Sequence, residues 1–460
     1  RFRTETTGTY EKLAQICRGK KIILVTATPL NNSPRDILSQ LKLFQTGKNS
    51  TIPNVRNLEA FFSRLEKKLK GLDRKDDREE YFRVVQENAR EIREKILKFV
   101  MVRRTRNEIG NYYKEDLAAQ NLRFPEVADP VPCFYQFSPQ EDAIFSNAIE
   151  LLTQKFTYAR YTPLTYYTGE LPEQELTGQR NLARFMKVLL VKRLESSFHA
   201  FRLTLDRFIR SYELFIAAYH DGDVYLSKRH SARLFELLES GDDEAVERLL
   251  EREQAERYDA AMFTPQLIQD LERDLQTLRD IRDDWKTIKR DPKWQTLRAM
   301  LSDDGVCAAG KLILFTESKE TAEHLAYKIS EDVDEQALLF TGDSKGDARG
   351  QVLANFDPRH HAPRDEFRIL VTTEVLAEGV SLHRSNTVIN YDIPWNPTRL
   401  IQRVGRVNRV DTPFDEIRTY NFFPTEQSND LLKLKEAAEA KIQAFIEMLG
   451  ADSRLLPEGE

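Results

Sequence analysis

Two kinds of apolar pattern alternate along this chain. Short apolar-rich runs at residues 21–26, 311–316, 337–340, 368–373 and 387–393, most of them with β-branched residues, have the length of strands covered on both faces, as in a parallel sheet. Between them apolar residues recur every three or four positions, the period of a helix buried on one side. Tyr10, Leu13, Ala14 and Cys17 predict a helix over 6–17, closed by Arg18-Gly19-Lys20, and Ser33-Pro34 opens another. Phe61, Phe62, Leu65 and Leu69 make one stripe within a mostly helical stretch from 54 to 100, and the run from 72 to 80 is highly charged.

A polar stretch over 111–130 reads as a hinge. Residues 131–137 have strand composition, and Ser138-Pro139-Gln140-Glu141 has the spacing of a capping box for a helix to about 152. From 153 to 290 the β-α alternation stops, so an all-helical insert is expected there. Leu267, Leu271, Leu275, Leu278, Ile281, Trp285 and Ile288 form a long apolar stripe, whose expected partners are helices over 184–218 and 232–262, in a protruding bundle. Lys192, Arg193, Arg202, Arg207 and Arg210 lie in this insert, and interleaved acids favour a solvated face over a nucleic-acid contact.

The alternation returns after 291. Ser318 is placed to cap a helix to Ile329, a helix is expected over 347–356, and Asn396-Pro397 starts one running through Arg409. A strand at 417–423 and a helix at 430–449 follow. The expected class is α/β with a parallel sheet, divided at 1–125, 126–152, 153–290, 291–425 and 426–460.

Composition narrows the class. The 460 residues carry 31% charged side chains and a net charge of −5, so a nucleic-acid surface would have to be a local patch. Cys17, Cys133 and Cys307 are far apart and in no metal-ligand spacing, which argues against a disulfide scaffold or a metal site. No apolar run reaches the roughly 20 residues of a membrane span, and a cytoplasmic protein is expected. The first residues lack a signal-peptide core and an initiating methionine, which reads as an excised fragment.

One cluster points to chemistry. Gln402 and Arg406 are four residues apart, and Arg406 and Arg409 three, so all three are expected along one helix face behind a buried strand. Two guanidiniums and an amide on one face suit an anion, because arginine meets phosphate oxygens with a charged planar fork.

Gln402-x-x-Gly405-Arg406-x-x-Arg409 resembles the last motif of superfamily-two helicases and Swi/Snf-type ATPases, with a lean to bacterial members. The resemblance implies two RecA-like lobes: 1–125 as the end of the first lobe and linker, 126–152 and 291–425 as the second. It implies that Arg406 and Arg409 reach across a cleft to the γ-phosphate of ATP, with Gln402 beside them and Glu378, Gly379 and Gly405 near the nucleotide. Thr26-Ala27-Thr28-Pro29 resembles the motif that couples the ATP site to nucleic acid. The stretch 101–106 is similar to the basic signature that leaves the first lobe. By the same resemblance Thr316, Thr341 with Gly342, and Thr373 would hold backbone phosphates of a tracked strand.

Glu378 and Ser381 depart from common versions of the family, which bears on contacts beside the ribose. Neither a Gly-x-x-x-x-Gly-Lys-Ser/Thr loop nor an acidic box is present. The implied protein is therefore a motor using ATP and Mg²⁺, of which this chain would lack the first half of the first lobe and bind neither tightly. Its expected partners are that half-lobe and DNA through its backbone, with RNA possible and no membrane. A non-catalytic binding or scaffolding module and an RNA helicase stay open as alternatives.

Overall fold

A computed structural model describes residues 8–25, 34–70, 72, 78–102, 106–226, 256–302, 305, 307–376, 380–394 and 397–423. Its first part is helical, with α1 (Gly8–Cys17), α2 (Arg35–Leu41), α3 (Leu58–Lys70) and α4 (Arg78–Ile92), the last continuing through a π turn at Arg93–Leu97. Ile37 and Leu41 of α2, Phe62 and Leu65 of α3, and Ile92 of α4 close one core, as the apolar stripe requires. Residues 21–25 correct the sequence reading: they form no strand, and Ile23 and Val25 are 89% and 94% exposed. A strand holds only when neighbours take its hydrogen bonds, and no described strand pairs with this run. Residues 26–33, with Thr26, Ala27 and Thr28, lie outside the described residues. The polar hinge is more ordered than expected and carries α5 (Arg106–Tyr112) and α6 (Lys114–Ala119).

Two short strands, β1 (Glu126–Val127) and β2 (Val131–Cys133), lead into α7 (Pro139–Glu150). The capping box is present: Glu141 N donates to the Ser138 hydroxyl at 3.3 Å and Ser138 N to the Glu141 carboxylate at 2.8 Å.

In the insert, α8 (Glu173–Ser196) and α9 (Phe198–His220) replace the single helix expected over 184–218. Ser197 sits extended between them and caps α9 by accepting from Ala200 N at 3.0 Å. The insert is not all helical. β3 (Asp223–Leu226) and β4 (Glu256–Asp259) pair antiparallel, opened by Gly222 at φ +91 and fixed by alternation, with Val224 and Leu226 facing the core. Residues 227–255 lie outside the description, and 256–262 carry β4 and a 3-10 turn where helix was expected.

The insert's long stripe is α10 (Gln266–Lys286), packed on α9 through Leu271, Leu278, Trp285, Phe201 and Tyr212. Asp274 on α10 is buried and accepts from Thr157 N, Thr157 Oγ1, Ala159 N and Tyr212 OH at 2.8, 2.9, 3.1 and 3.0 Å. Burial raises its carboxyl against the pull of those donors.

The second lobe follows as α11 (Pro292–Leu301), β5 (Leu312–Phe315), α12 (Lys319–Asp332), β6 (Ala337–Phe340), α13 (Ala348–Phe356), β7 (Ile369–Thr372), β8 (Thr387–Asn390), α14 (Pro397–Val407) and β9 (Glu416–Phe422). Its sheet runs β1-β9-β8-β5-β7-β6, with β2 also on β9, and every pair is parallel. α13 and α14 cover one face through Val352, Phe356, Leu400 and Val404. α11 and α12 cover the other through Trp294, Leu297, Leu325 and Ile329. This is the α/β architecture expected, a RecA-like second lobe. Residues 424–460, with the helix expected at 430–449, lie outside the described residues.

Candidate functional site

All strands of the lobe point the same way, so the loops after them share one edge, where open parallel sheets bind ligands. The registers align Phe340, Thr372, Phe315 and Asn390 across β6, β7, β5 and β8. Thr341, Thr373, Thr316 and Tyr391 therefore stand one residue beyond that row on four adjacent strands. Thr341 and Thr373 are largely buried at this edge and Gly342 is exposed. Ser344 Oγ accepts from Thr341 N at 2.9 Å and Thr341 O from Ser344 N at 3.1 Å, which fixes the turn holding Gly342.

Thr316 is 0% exposed and donates to Asp392 Oδ2 at 2.6 Å. The same oxygen accepts from Glu317 N and from Ser196 Oγ, each at 2.8 Å. After β7 the chain crosses over β5 to form β8, so this is the crevice where strand order reverses, and the end of α8 fills it. Lys293 Nζ lies 3.5 Å from Asp392 Oδ1 and donates to the carbonyls of Glu195 and Ser196 at 2.7 and 2.9 Å. Burial pulls the Lys293 amine below its usual range, with Asp392 pulling the other way.

Lys192 and Arg193 are not a solvated face. Arg193 is 2% exposed and lies 3.8 Å from Glu320, and Lys192 lies 3.8 Å from Glu317. Burial raises the Glu317 carboxyl, but Lys192, Arg399 and Arg403 together hold it below its usual range.

On α14, Gln402 and Arg406 share a face. Arg406 Nε donates to Gln402 O at 3.1 Å and Nη1 to Val380 O at 3.2 Å. The guanidinium thus reaches the residue following Gly379, which with Glu378 lies outside the described residues. Gly405 has open space where a Cβ would stand.

Arg409 corrects the expectation of one helix face, because α14 ends at Val407. The main chain past it is claimed from outside: Arg106 Nη2 donates to Asn408 O at 3.0 Å and Arg123 N to Val410 O at 3.2 Å. Arg409 Nε is buried with no hydrogen-bond partner among the described residues.

Arg403 is the residue sequence reading missed. It is 0% exposed, its Nε donates to Glu374 at 2.7 Å, its Nη1 to Asn390 and to Asp392 O at 2.9 and 3.0 Å, and it lies over the Phe315 ring at 5.2 Å. The signal was in the pattern: Leu400, Arg403 and Val407 are spaced three and four, which places an arginine on the apolar stripe.

A buried arginine donor such as Arg409 Nε suits a phosphate oxygen. Among the described residues no group of three or more His, Cys, Asp or Glu side chains is placed to hold a metal ion. Gly305 and Gly310-Lys311 have Walker spacing, but Leu312 follows, a strand rather than a helix begins there, and Lys311 is paired with Asp365 at 2.6 Å. No helix among the described residues is long and apolar enough to cross a membrane.

The helicase conserved C-terminal domain matches residues 293–411. An uncharacterized ATP-dependent helicase, YqhH, of Bacillus subtilis is 33% identical over 111 residues, covering 24% of this chain and 18% of that protein. The ATP-dependent RNA helicase dbp5 of Schizosaccharomyces pombe is 32% identical over 111 residues, 23% of this chain and 21% of that protein. The chain thus spans about a fifth of the length of these relatives. The solved C-terminal part of the Fun30 ATPase domain overlays 72% of this chain and 100% of its own at 15% identity and a TM-score of 0.37. The sheet edge and the arginine helix both lie inside the segment similar to the helicase conserved C-terminal domain.

Proposed function

We propose that this chain contributes the end of the first lobe and the second lobe of an ATP-driven translocase or helicase of Swi/Snf type acting on double-stranded DNA, and that ATP sits between the second lobe and a first half-lobe carrying the phosphate loop and the Mg²⁺ carboxylates. The observation that carries this reading is the arginine pair: Arg406 is steadied by two main-chain carbonyls, and Arg409 keeps a buried Nε, without a hydrogen-bond partner among the described residues, just past the helix end. A buried guanidinium donor left open is costly unless an acceptor arrives, and a γ-phosphate supplies one.

In this reading the arginines stabilise charge developing on the transferring phosphoryl group. Bound ATP would supply that group, and Mg²⁺ held by the carboxylates of the first half-lobe would offset the charge of its oxygens. Gly405 leaves room for the nucleotide, with Glu378 and Gly379 beside it. Thr341, Gly342 and Thr373 hold backbone phosphates of the strand, a task of position rather than base reading. Thr316, enclosed by Ser196 and Asp392, acts instead through the shape of that edge. Thr26, Ala27 and Thr28 couple the two sites. The proposed domain limits are 1–125, 126–152, 153–290, 291–425 and 426–460.

The test is phosphate release from this chain joined to a phosphate-loop lobe, with duplex DNA, single-stranded DNA and RNA compared as activators. The reading expects duplex DNA to stimulate most, and expects this chain alone to release none. Nucleotide-independent binding with no release in the joined protein would favour a scaffolding module. An RNA motor is the second reading, favoured by the matched relative described as an RNA helicase, and stimulation by RNA alone would establish it.

A further inference from the structure

Where the insert meets the second lobe, α9 and α12 each present an imidazole to one cavity. His199 and His324 stack with ring centroids 4.3 Å apart and planes within 5°. Their nitrogens make no hydrogen bond among the described residues. The cavity measures about 360 Å³, within the range of small-ligand sites.

Five basic side chains line it, Arg202, Lys289, Arg290, Arg298 and Lys328, against the acidic Asp291 and Asp332. Four of these charges are already met. Arg290 pairs with Glu141 at 2.5 Å, Lys328 with Asp332 at 2.7 Å, and Asp291 caps α11 by accepting from Trp294 N at 3.0 Å. Arg202 donates to the carbonyls of Trp285 and Ile288, and Lys289 to that of Lys286, so both keep their charge. With Arg298 they leave a local positive surplus in a chain of net charge −5.

We propose that this cavity is a binding site for a phosphate group, held by Arg202, Lys289 and Arg298 and by the two imidazoles once protonated. Burial and Arg202 lower His199, opposed by Glu320 and Glu323. Burial, His199 and Lys328 hold His324 at about 4, opposed by Asp332. In the empty cavity both rings are therefore neutral near pH 7. A bound phosphate reverses the sign of the local field and favours the imidazolium, which donates from both nitrogens. Binding then takes up protons and tightens as pH falls. The phosphate has two sources, a free phosphate compound or a nucleic-acid backbone, and competition separates them.

The test is calorimetric titration of the chain with inorganic pyrophosphate at about pH 7.5 and about pH 6, in buffers of different ionisation enthalpy. The expected results are several-fold tighter binding at the lower pH, net proton uptake, and a loss of about tenfold in Arg298→Ala and in Lys289→Ala. Both are exposed positions, whose melting curves should match the parent. His324→Asn should keep weak binding and lose the pH dependence. Displacement by a short single-stranded oligonucleotide assigns the site to a phosphodiester; pyrophosphate binding without displacement assigns it to a free phosphate compound. Absence of binding by either, or binding unchanged in both basic variants, overturns the proposal.

Discussion

Arg106 Nη2 donates to the carbonyl of Asn408 at 3.0 Å, across 302 residues of sequence. The start of α5 thereby holds the turn between Arg406 and Arg409. Arg406→Ala and Arg409→Ala are each expected to cut phosphate release by the joined motor about a thousandfold or more, with little change in melting temperature. Arg106→Ala should lower release less and leave nucleotide affinity nearly unchanged, because it displaces the turn without removing a phosphate ligand. Steady-state release and a fluorescent-nucleotide titration separate the two effects.

Gly405 separates function from fold. An added methyl meets nothing within 4 Å, and alanine in a helix interior is favoured over glycine by about 0.5–1 kcal/mol. Gly405→Ala is therefore expected to stabilise the lobe in urea while lowering release by the joined motor, since the methyl would occupy space assigned to the nucleotide. An unchanged rate would remove Gly405 from the site.

Asp392 joins Ser196, Thr316 and Glu317 beside the buried Lys293. Asp392→Ala leaves that ammonium without its carboxylate and should cost about 3–5 kcal/mol. Adding Lys293→Met should recover part of the loss, and a double-mutant cycle in urea measures how much.

Stability should fall in two steps on acidification. His324 titrates near 6.5 unfolded and at about 4 folded, because burial, His199 and Lys328 disfavour its charge. Its neutral-state preference is lost as pH falls from 6.5 toward 4. Burial would raise the Glu320 carboxyl, yet Arg193 and Arg207 bring it from 4.5 to about 2. Its contribution is full above 4.5 and disappears as pH falls toward 2. His324→Asn should flatten the upper step and Glu320→Gln the lower, in urea midpoints measured against pH.

The second lobe was legible because its central strands are short runs rich in apolar residues, and β5, β6, β7 and β8 fall within the predicted spans. Residues 21–25 have the same composition without the neighbour that makes a strand. Lys192 and Arg193 looked solvated because their partners, Glu317 and Glu320, lie more than a hundred residues on, beyond any local pattern. Arg403 was hidden between two residues chosen for the opposite face, although its place on the apolar stripe was readable. The end of α14 was not readable, since the donor that meets the Asn408 carbonyl just past it is Arg106, 302 residues away in sequence.

The stitch at Asp392 makes residues 153–290 something other than a removable cassette. Excising them would take Ser196 from the carboxylate, the Glu195 and Ser196 carbonyls from Lys293, and Lys192 and Arg193 from two acids of the lobe. A minimal version of this lobe would need those positions redesigned, and transplanting the bundle onto another scaffold would need an equivalent of Asp392 waiting for it.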